Sequence, residues 1–180
     1  MEFNFYKKDL RRWGYTGLSG LLKCLLIPGF RYLFLFRLYD ANNFFLFTPF
    51  IKLLLRIYSR WYGIQIELNT TIGKGFYIGH FGNIVVNGYT VIGENCNISQ
   101  GVTIGATNRG SKKGTPIFGN EVWIGANAVI VGNIKIGNNV LIAPNSYLNF
   151  DVPNNSIVFG NPAIVKERLN ATEGYINNKV

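Results

Sequence analysis

Residues 118–142 read FGNEVWIGANAVIVGNIKIGNNVLI, and a large apolar residue returns in this stretch at every sixth position. The period continues outward in both directions, in three phased blocks. An α-helix repeats about every 3.6 residues and a strand about every 2, so neither produces this spacing. The repeat positions are Ile66, Ile72, Ile78, Ile84, Val86, Ile92, Ile98, Ile104, Phe118, Ile124, Ile130, Ile136, Ile142 and Leu148.

A six-residue period is typical of a triangular coil, in which each side is a short strand with one inward side chain. Four positions after many of the large apolar residues stands a small or β-branched residue. Glycine or asparagine, which tolerate the unusual backbone angles of a corner, stand where the corners should fall, for example at 94–95, 119–120 and 138–139. Stacked coils bury a continuous apolar column that no single coil could bury alone. The sequence therefore predicts a mainly β protein, a parallel β-helix preceded by an α-helical segment.

The repeat is interrupted at two places. Its phase slips by two residues between Ile84 and Val86, and it breaks over residues 106–116, which are polar and basic and contain glycine. An insertion into a solenoid leaves its side as a loop, and such loops commonly carry function. We expect residues 106–116 to form a functional loop.

The N-terminal third differs from the repeat in charge and in aromatic content. Residues 1–62 hold ten Lys or Arg against three acids, whereas residues 63–180 hold eight against six. The same third contains 17 of the 27 aromatic residues. A basic and apolar segment favours a membrane surface over a nucleic acid. Helices are predicted near Leu10–Leu26, Phe30–Tyr39 and Phe47–Tyr62, separated by Pro28 and by Asp40-Ala-Asn-Asn43.

Two environments remain open for these helices: they pack on the coil and on neighbouring subunits, or they lie on the inner face of a membrane. The longest apolar stretch, residues 17–30, is interrupted by Lys23 and Pro28, so no spanning helix is expected. The first residues lack the pattern of a secretory signal, which predicts a cytoplasmic protein.

The cysteines and the histidine limit the possible chemistry. Cys24 and Cys96 match no metal-ligand or redox spacing and are expected to be free buried thiols. With His80 as the only histidine, we expect no metal site.

The expected domain organisation has three parts. A helical segment covers residues 1–62, the β-helix covers residues 63–165, and a tail covers residues 166–180. From Asn170 onward the tail is expected to be frayed.

His80 is the candidate catalytic residue. No nucleophile elbow, phosphate-binding loop or dinucleotide fingerprint is present. His80 stands two positions after the repeat residue Ile78, so its side chain should point outward near a corner. An imidazole can exchange protons near neutral pH, although an isolated surface histidine often has no role.

Residues 72–163 resemble the catalytic domain of the serine acetyltransferase-like branch of the hexapeptide acyltransferases. The resemblance implies a left-handed β-helix, a homotrimer and an acetyl-CoA site between two subunits. The matching segments are Ile72-Gly-Lys-Gly75, His80-Phe-Gly82 leading into Ile84-Val-Val86, Gln100-Gly-Val-Thr-Ile-Gly105, Val122-Trp-Ile-Gly-Ala-Asn-Ala128, Asp151-Val-Pro153 and Gly160-Asn-Pro-Ala163.

The resemblance also implies residue roles. His80 matches the histidine that deprotonates the acceptor hydroxyl for direct attack on the thioester. Contacts to acetyl-CoA are expected from Gly105, Ala106, Ala126, Ala128, Lys135 and Lys166, with Lys112 as a further phosphate ligand. Contacts to the acceptor are expected from Gln65, Asn83 and Arg109. Taken singly, each alanine and glycine is equally well explained by packing in the repeat.

Two departures from the family pattern bear on the acceptor. Gln65 stands where serine acetyltransferases have an aspartate, and Thr115 stands where they have a second histidine; both family residues contact serine. With the basic, aromatic N-terminus, these departures favour the acetyltransferases of capsule and O-antigen synthesis. The sequence thus predicts acetyl transfer to a sugar hydroxyl of a surface polysaccharide. The alternatives are serine O-acetylation and a non-enzymatic β-helix that docks a membrane or a partner.

Overall fold

The computed structural model describes residues 4–41 and 47–180. Its N-terminal part contains helices and its remainder is a coil of short strands. The helices are α1 (Asn4–Arg12), α2 (Gly17–Cys24), α3 (Pro28–Asp40) and α4 (Thr48–Tyr62).

The strands form the three faces of a triangular prism. Within each face they are parallel, except that the last strand of the chain is antiparallel to its neighbour. The first face contains β1 (Ile64–Ile66), β4 (Ile84–Val86), β7 (Thr103–Gly105), β10 (Val129–Val131) and β13 (Tyr147–Leu148). The second contains β2 (Thr71–Ile72), β5 (Val91–Ile92), β8 (Ile117–Phe118) and β11 (Lys135–Ile136). The third contains β3 (Tyr77–Ile78), β6 (Asn97–Ile98), β9 (Val122–Ile124), β12 (Val140–Ile142), β14 (Ser156–Phe159) and β15 (Ile164–Glu167), and β15 is antiparallel to β14.

The predicted apolar column is the core of this prism. All fourteen repeat positions are buried, and the most accessible of them is 7% exposed. Equivalent residues in successive coils pair directly, as Ile78, Ile98, Ile124 and Ile142 do on the third face. The small or β-branched residues of the repeat are also buried, all at 0% exposure: Thr90, Cys96, Val102, Val122, Ala128 and Val140.

Asparagine residues form the corners, as the sequence predicts. Asn95 and Asn139 adopt left-handed backbone angles, with φ of 56° and 53°. Asparagine tolerates this region better than most residues because its short side chain can bond locally. Between the second and third faces, side chains also link the coils: the Asn120 Oδ1 accepts from the Glu94 N–H at 2.8 Å, and the Asn138 Oδ1 accepts from the Asn120 N–H at 2.7 Å.

The first predicted helix, Leu10–Leu26, is wrong, because the structure contains two helices there. The chain turns at Gly14, whose φ is 81°, a left-handed value that breaks a helix. Pro28 begins α3, where the missing N–H of proline costs nothing. Of the predicted break at 40–43, residues 42 and 43 lie outside the described residues.

A buried ion pair fastens the helices to the first coil. The Arg37 Nε donates to Asp9 at 2.9 Å, and its terminal nitrogens donate to the backbone oxygens of Ile72 and Gly73, each at 2.6 Å. Asp9 also accepts from the Gly75 N–H at 2.7 Å. Burial raises the pKa of Asp9, while the Arg37 charge opposes this shift. One arginine therefore connects α1, α3 and the start of the β-helix.

The prediction of a frayed tail is wrong. Residues 170–180 lie along the coil, where Thr172 donates through its N–H and its hydroxyl to Asn139 at 3.0 and 2.8 Å. The ring of Tyr175 contacts that of Trp123 at 4.8 Å, and the Val180 N–H donates to Asn95 at 2.9 Å. The tail thus returns from the last coils toward the first, and its contacts are with residues far away in sequence.

Candidate active site

His80 lies at the corner between the third and first faces, in the turn that joins β3 to β4. Its side chain is exposed, as the repeat predicts. We call this edge of the prism the histidine corner. Asn83 completes the turn with a φ of 52° and is also exposed.

The histidine corner packs against the end of α4. The ring of Phe81 meets that of Tyr62 edge to face at 5.2 Å. The Ile84 N–H donates to the Gly63 oxygen at 2.8 Å, and a Cβ at Gly63 would lie 2.7 Å from the Asn83 nitrogen. Gly63 therefore permits a close approach that a larger residue would block. The six-residue repeat could not predict this contact, because the contact joins a helix, which lies outside the repeat, to a coil.

The same corner continues along the prism into later coils. Gln100, Ala126 and Pro144 each follow the third-face strand of their coil at the position His80 has in the first. Neighbouring strands lie about 4.8 Å apart, so Ala126, two coils away, is about 10 Å from His80 along the prism. Ala126 is partly exposed, which is compatible with its predicted contact to acetyl-CoA.

No carboxylate of the described residues, 4–41 and 47–180, holds the imidazole of His80 in place. Glu67 follows β1 at the opposite edge of the first face, where a Cβ at Gly88 would meet its Oε2 at 2.7 Å. Glu94 pairs with Lys74 at 2.9 Å at the edge between the second and third faces. Gln65 is exposed on β1 and carries no charge. Glu67 and Glu94 thus lie at other edges of the prism than His80, and Gln65 has no charge with which to form an ion pair.

The insertion at 106–116 leaves the edge between the first and second faces, which we call the loop corner. Thr107 and Gly114 pair in both directions, at 3.0 and 2.9 Å, so the loop is a narrow hairpin. Arg109 is exposed in its turn, and Ala106 is exposed where the loop leaves Gly105. The prediction of a projecting loop is confirmed.

Near the loop corner, Asp151 binds the side chain of Lys112 and the backbone of Lys135. The Asp151 Oδ1 accepts from the Lys135 N–H at 3.0 Å and from the Lys112 Nζ at 3.2 Å. These two donors lower the pKa of Asp151. Lys135 lies on the second face and Lys166 on the third, so one chain does not bring these two predicted phosphate ligands together.

Ala128 does not suit its predicted role, because its side chain is fully buried in the core and offers no surface to a ligand. Thr115, at the position of the family's second histidine, donates through its hydroxyl to the Tyr89 oxygen at 2.9 Å. Its side chain therefore fastens the end of the loop to the preceding coil.

Within residues 4–41 and 47–180, no single helix is long and apolar enough to cross a bilayer, although α2 and α3, which are bent by 110° relative to each other, would be long and apolar enough as a pair. No group of three or more His, Cys, Asp or Glu side chains in this part of the chain could hold a metal ion. Cys24 and Cys96 are free and buried, as predicted.

Sequence and structure comparisons converge on one group of enzymes. Residues 115–149 match the family described as "Bacterial transferase hexapeptide (six repeats)". The serine acetyltransferase of Helicobacter pylori is 34% identical over 149 residues, which are 80% of this chain and 85% of that protein. That of Synechococcus elongatus is 37% identical over 152 residues, 82% of this chain, but the match spans only 60% of the relative.

The solved structures agree with the sequence relatives. Serine acetyltransferase from Brucella abortus in complex with coenzyme A superposes with a TM-score of 0.75 at 27% identity, over 92% of this chain and 67% of that one. The predicted left-handed β-helix with an N-terminal helical segment is confirmed. The predicted acyltransferase enzyme is confirmed as well.

The prediction of a polysaccharide O-acetyltransferase is wrong. The relatives and the solved neighbours are serine acetyltransferases, and they support the alternative that the sequence left open. The departures at Gln65 and Thr115, together with the basic aromatic helices, had favoured a sugar acceptor. Similarity to serine acetyltransferases over most of the chain is stronger evidence for the acceptor than these two side chains and a segment outside the repeat.

Proposed function

Because the chain belongs to the serine acetyltransferase family, we propose that it transfers the acetyl group of acetyl-CoA to the hydroxyl of L-serine, with His80 as general base. The observation that supports this most is the exposed imidazole of His80 at a corner of the coil, within motifs that the family shares. A cytoplasmic location belongs to the proposal, since free thiols such as Cys24 and Cys96 are typical of a reducing compartment.

The reaction needs one base and a polar pocket for a developing negative charge. His80 takes the proton of the serine hydroxyl while the oxygen attacks the thioester carbonyl. Collapse of the tetrahedral intermediate forms the ester and expels the thiolate of CoA, which then takes the proton from the imidazolium. Backbone N–H groups near the corner turns can stabilise the oxyanion, since such donors need no reorganisation.

A site shared between subunits explains the separation of the candidate residues. His80 and Asn83 lie at the histidine corner, whereas Gly105, Ala106 and Arg109 lie at the loop corner, across the first face. In a trimer, the loop corner of one subunit can approach the histidine corner of the next. We therefore include a homotrimer in the proposal, with the coenzyme bound between subunits through Ala106 and Ala126.

The lysines and Gln65 take secondary roles in this proposal. Lys135 and Lys166 are exposed on different faces, so they would serve the coenzyme phosphates of different intersubunit sites. Gln65 replaces a carboxylate that contacts serine in the family, and an amide attracts a substrate ammonium less strongly than a carboxylate does. We therefore expect this enzyme to bind serine more weakly than relatives with the aspartate.

The test is release of free CoA from acetyl-CoA in the presence of L-serine, followed with a thiol reagent. We expect His80→Ala to lower kcat by about 10²–10⁴-fold, the usual contribution of a general base. Glu173→Gln is the matched control, because Glu173 is exposed on the tail and belongs to neither corner. This control should retain wild-type turnover.

Two results would decide against the proposal. Unchanged turnover in His80→Ala would remove His80 as the base. Absence of coenzyme A binding by calorimetry, in a chain whose circular dichroism shows the folded state, would remove the acetyltransferase assignment altogether.

A further inference from the structure

Helix α4 has two apolar rows, and only one of them is used inside the chain. The inner row, which packs on the core, consists of Ile51, Leu55, Tyr58 and Tyr62. These residues are spaced by four, three and four positions, which is the period of one helix face. An ordinary surface helix of a globular protein would be polar on the remaining faces.

A second row, which we call the outer stripe, runs along the exposed side of the same helix. It consists of Phe50, Leu53, Ile57 and Trp61, which are 59%, 53%, 41% and 79% exposed. Their spacing of three, four and four again matches one helix face. Single exposed apolar residues are common, but a contiguous row of four that includes Phe and Trp indicates an interaction surface.

A second exposed apolar row lies along α2 and just beyond its end. Leu18, Leu22 and Leu26 recur every four residues and are 72%, 60% and 77% exposed. Arg31 connects their end to α4, because it donates to the Leu26 oxygen at 3.1 Å and to the Tyr58 hydroxyl at 3.2 Å. Arg31 therefore connects Leu26, which follows the last residue of α2, to helix α4.

A row of positive charge flanks the outer stripe on α4. Lys52, Arg56 and Arg60 are exposed and recur every four residues. Helices α2 and α4 contain no acidic residue. A second copy of the chain placed on this face would bring like charges together, whereas an anionic lipid surface is complementary in both charge and hydrophobicity.

We propose that the outer stripe of α4, with the leucines of α2, binds the surface of an anionic lipid bilayer. Trp61 and Phe50 enter the boundary between headgroups and acyl chains, where aromatic rings are favoured. Lys52, Arg56 and Arg60 stay at headgroup level and pair with lipid phosphates, as long basic side chains do at such interfaces. Because Tyr62 contacts Phe81, this surface adjoins the histidine corner.

The proposal is tested by flotation of the protein with lipid vesicles. The wild type should float with vesicles of phosphatidylglycerol and phosphatidylcholine, and much less with phosphatidylcholine alone. Binding to the anionic vesicles should fall as salt is raised. The double variant Phe50→Ser/Trp61→Ser should lose at least about tenfold in vesicle partitioning, because both side chains leave water on binding.

A second variant isolates the charge. Replacement of Lys52, Arg56 and Arg60 by glutamine should lower partitioning into anionic vesicles on the order of 100-fold, since each basic residue near such a surface contributes a factor of about five. Leu169→Ser is the control: Leu169 is 75% exposed on the C-terminal side of the coil, outside the proposed surface. Its partitioning should equal that of the wild type.

Three outcomes would overturn the proposal. Failure of the folded wild type to bind anionic vesicles is the first, and equal binding to neutral vesicles is the second. The third is a change of oligomeric state in Phe50→Ser/Trp61→Ser, measured by light scattering, which would make the outer stripe a contact between copies of the chain.

Discussion

The β-helix and the N-terminal helices place their apolar side chains differently. In the β-helix every repeat position points inward and is buried. In α2 and α4, large apolar residues point both toward the protein and toward solvent, as Leu55 and Trp61 do on the same helix. The coil is therefore specified by a repeated pattern, whereas the helices depend on a few individual contacts and on an external surface.

This difference has a physical origin. Each coil of a solenoid contacts only its neighbours, so one local rule, repeated, determines the whole assembly. A helix can bury any face that the rest of the molecule offers, and its sequence does not say which face that is. The two regions should accordingly respond differently to substitution.

The largest effect is expected at the buried charge pair that holds the helices to the first coil. Arg37→Met should destabilise the protein by about 3–5 kcal/mol, because it leaves Asp9 buried without its partner. Hydrogen exchange should locate the loss in α1 and α3 while the later coils stay protected. The double variant Asp9→Asn/Arg37→Met should recover part of the stability. If its loss in free energy of unfolding equals the sum of the losses in the two single variants, the two side chains are not coupled.

A somewhat smaller effect is expected in the coil. Ile124→Ala removes a fully buried side chain in the middle of the column and should cost about 3 kcal/mol, measured by urea unfolding. Leu22, an exposed leucine of α2, serves as the comparison, and Leu22→Ser should change stability by less than about 0.5 kcal/mol. Equal costs at the two positions would remove the contrast between the regions.

The smallest effect is a dependence of stability on alkaline pH. Burial raises the pKa of the Cys96 thiol from 9.0 to about 12, so the unfolded chain loses this proton before the folded one does. This contribution is then intact below pH 9 and is lost progressively between pH 9 and 12, with a fall in stability of about 1 kcal/mol between pH 9 and pH 10, where the difference is measured. Cys96→Ala should lessen the slope of stability against pH relative to the wild type. The same slope in both proteins would show that Cys96 does not titrate as its burial requires.

Some parts of the candidate site were predictable from sequence. The repeat positions of Ile78 and Ile84 were enough to place His80 at an outward corner, and the gap after Ile104 was enough to predict a loop. The contact of Phe81 with Tyr62 was not predictable, nor was the pairing of Lys112 with Asp151, because these partners are distant in sequence. Ala128 looked like a ligand contact because small residues serve both packing and binding in a repeat.

By itself, the sequence determined the stacked coil, since a triangular coil with one inward apolar residue on each side requires a six-residue period; the handedness of the coil came from the family resemblance. It also determined that a single histidine is available for proton transfer. Only the tertiary structure decided that Gly14 divides the first helix, that the tail lies along the coil, and that α4 leaves Phe50 and Trp61 exposed. These outcomes depend on which surfaces meet, and surface contacts between distant segments are not encoded in any local period.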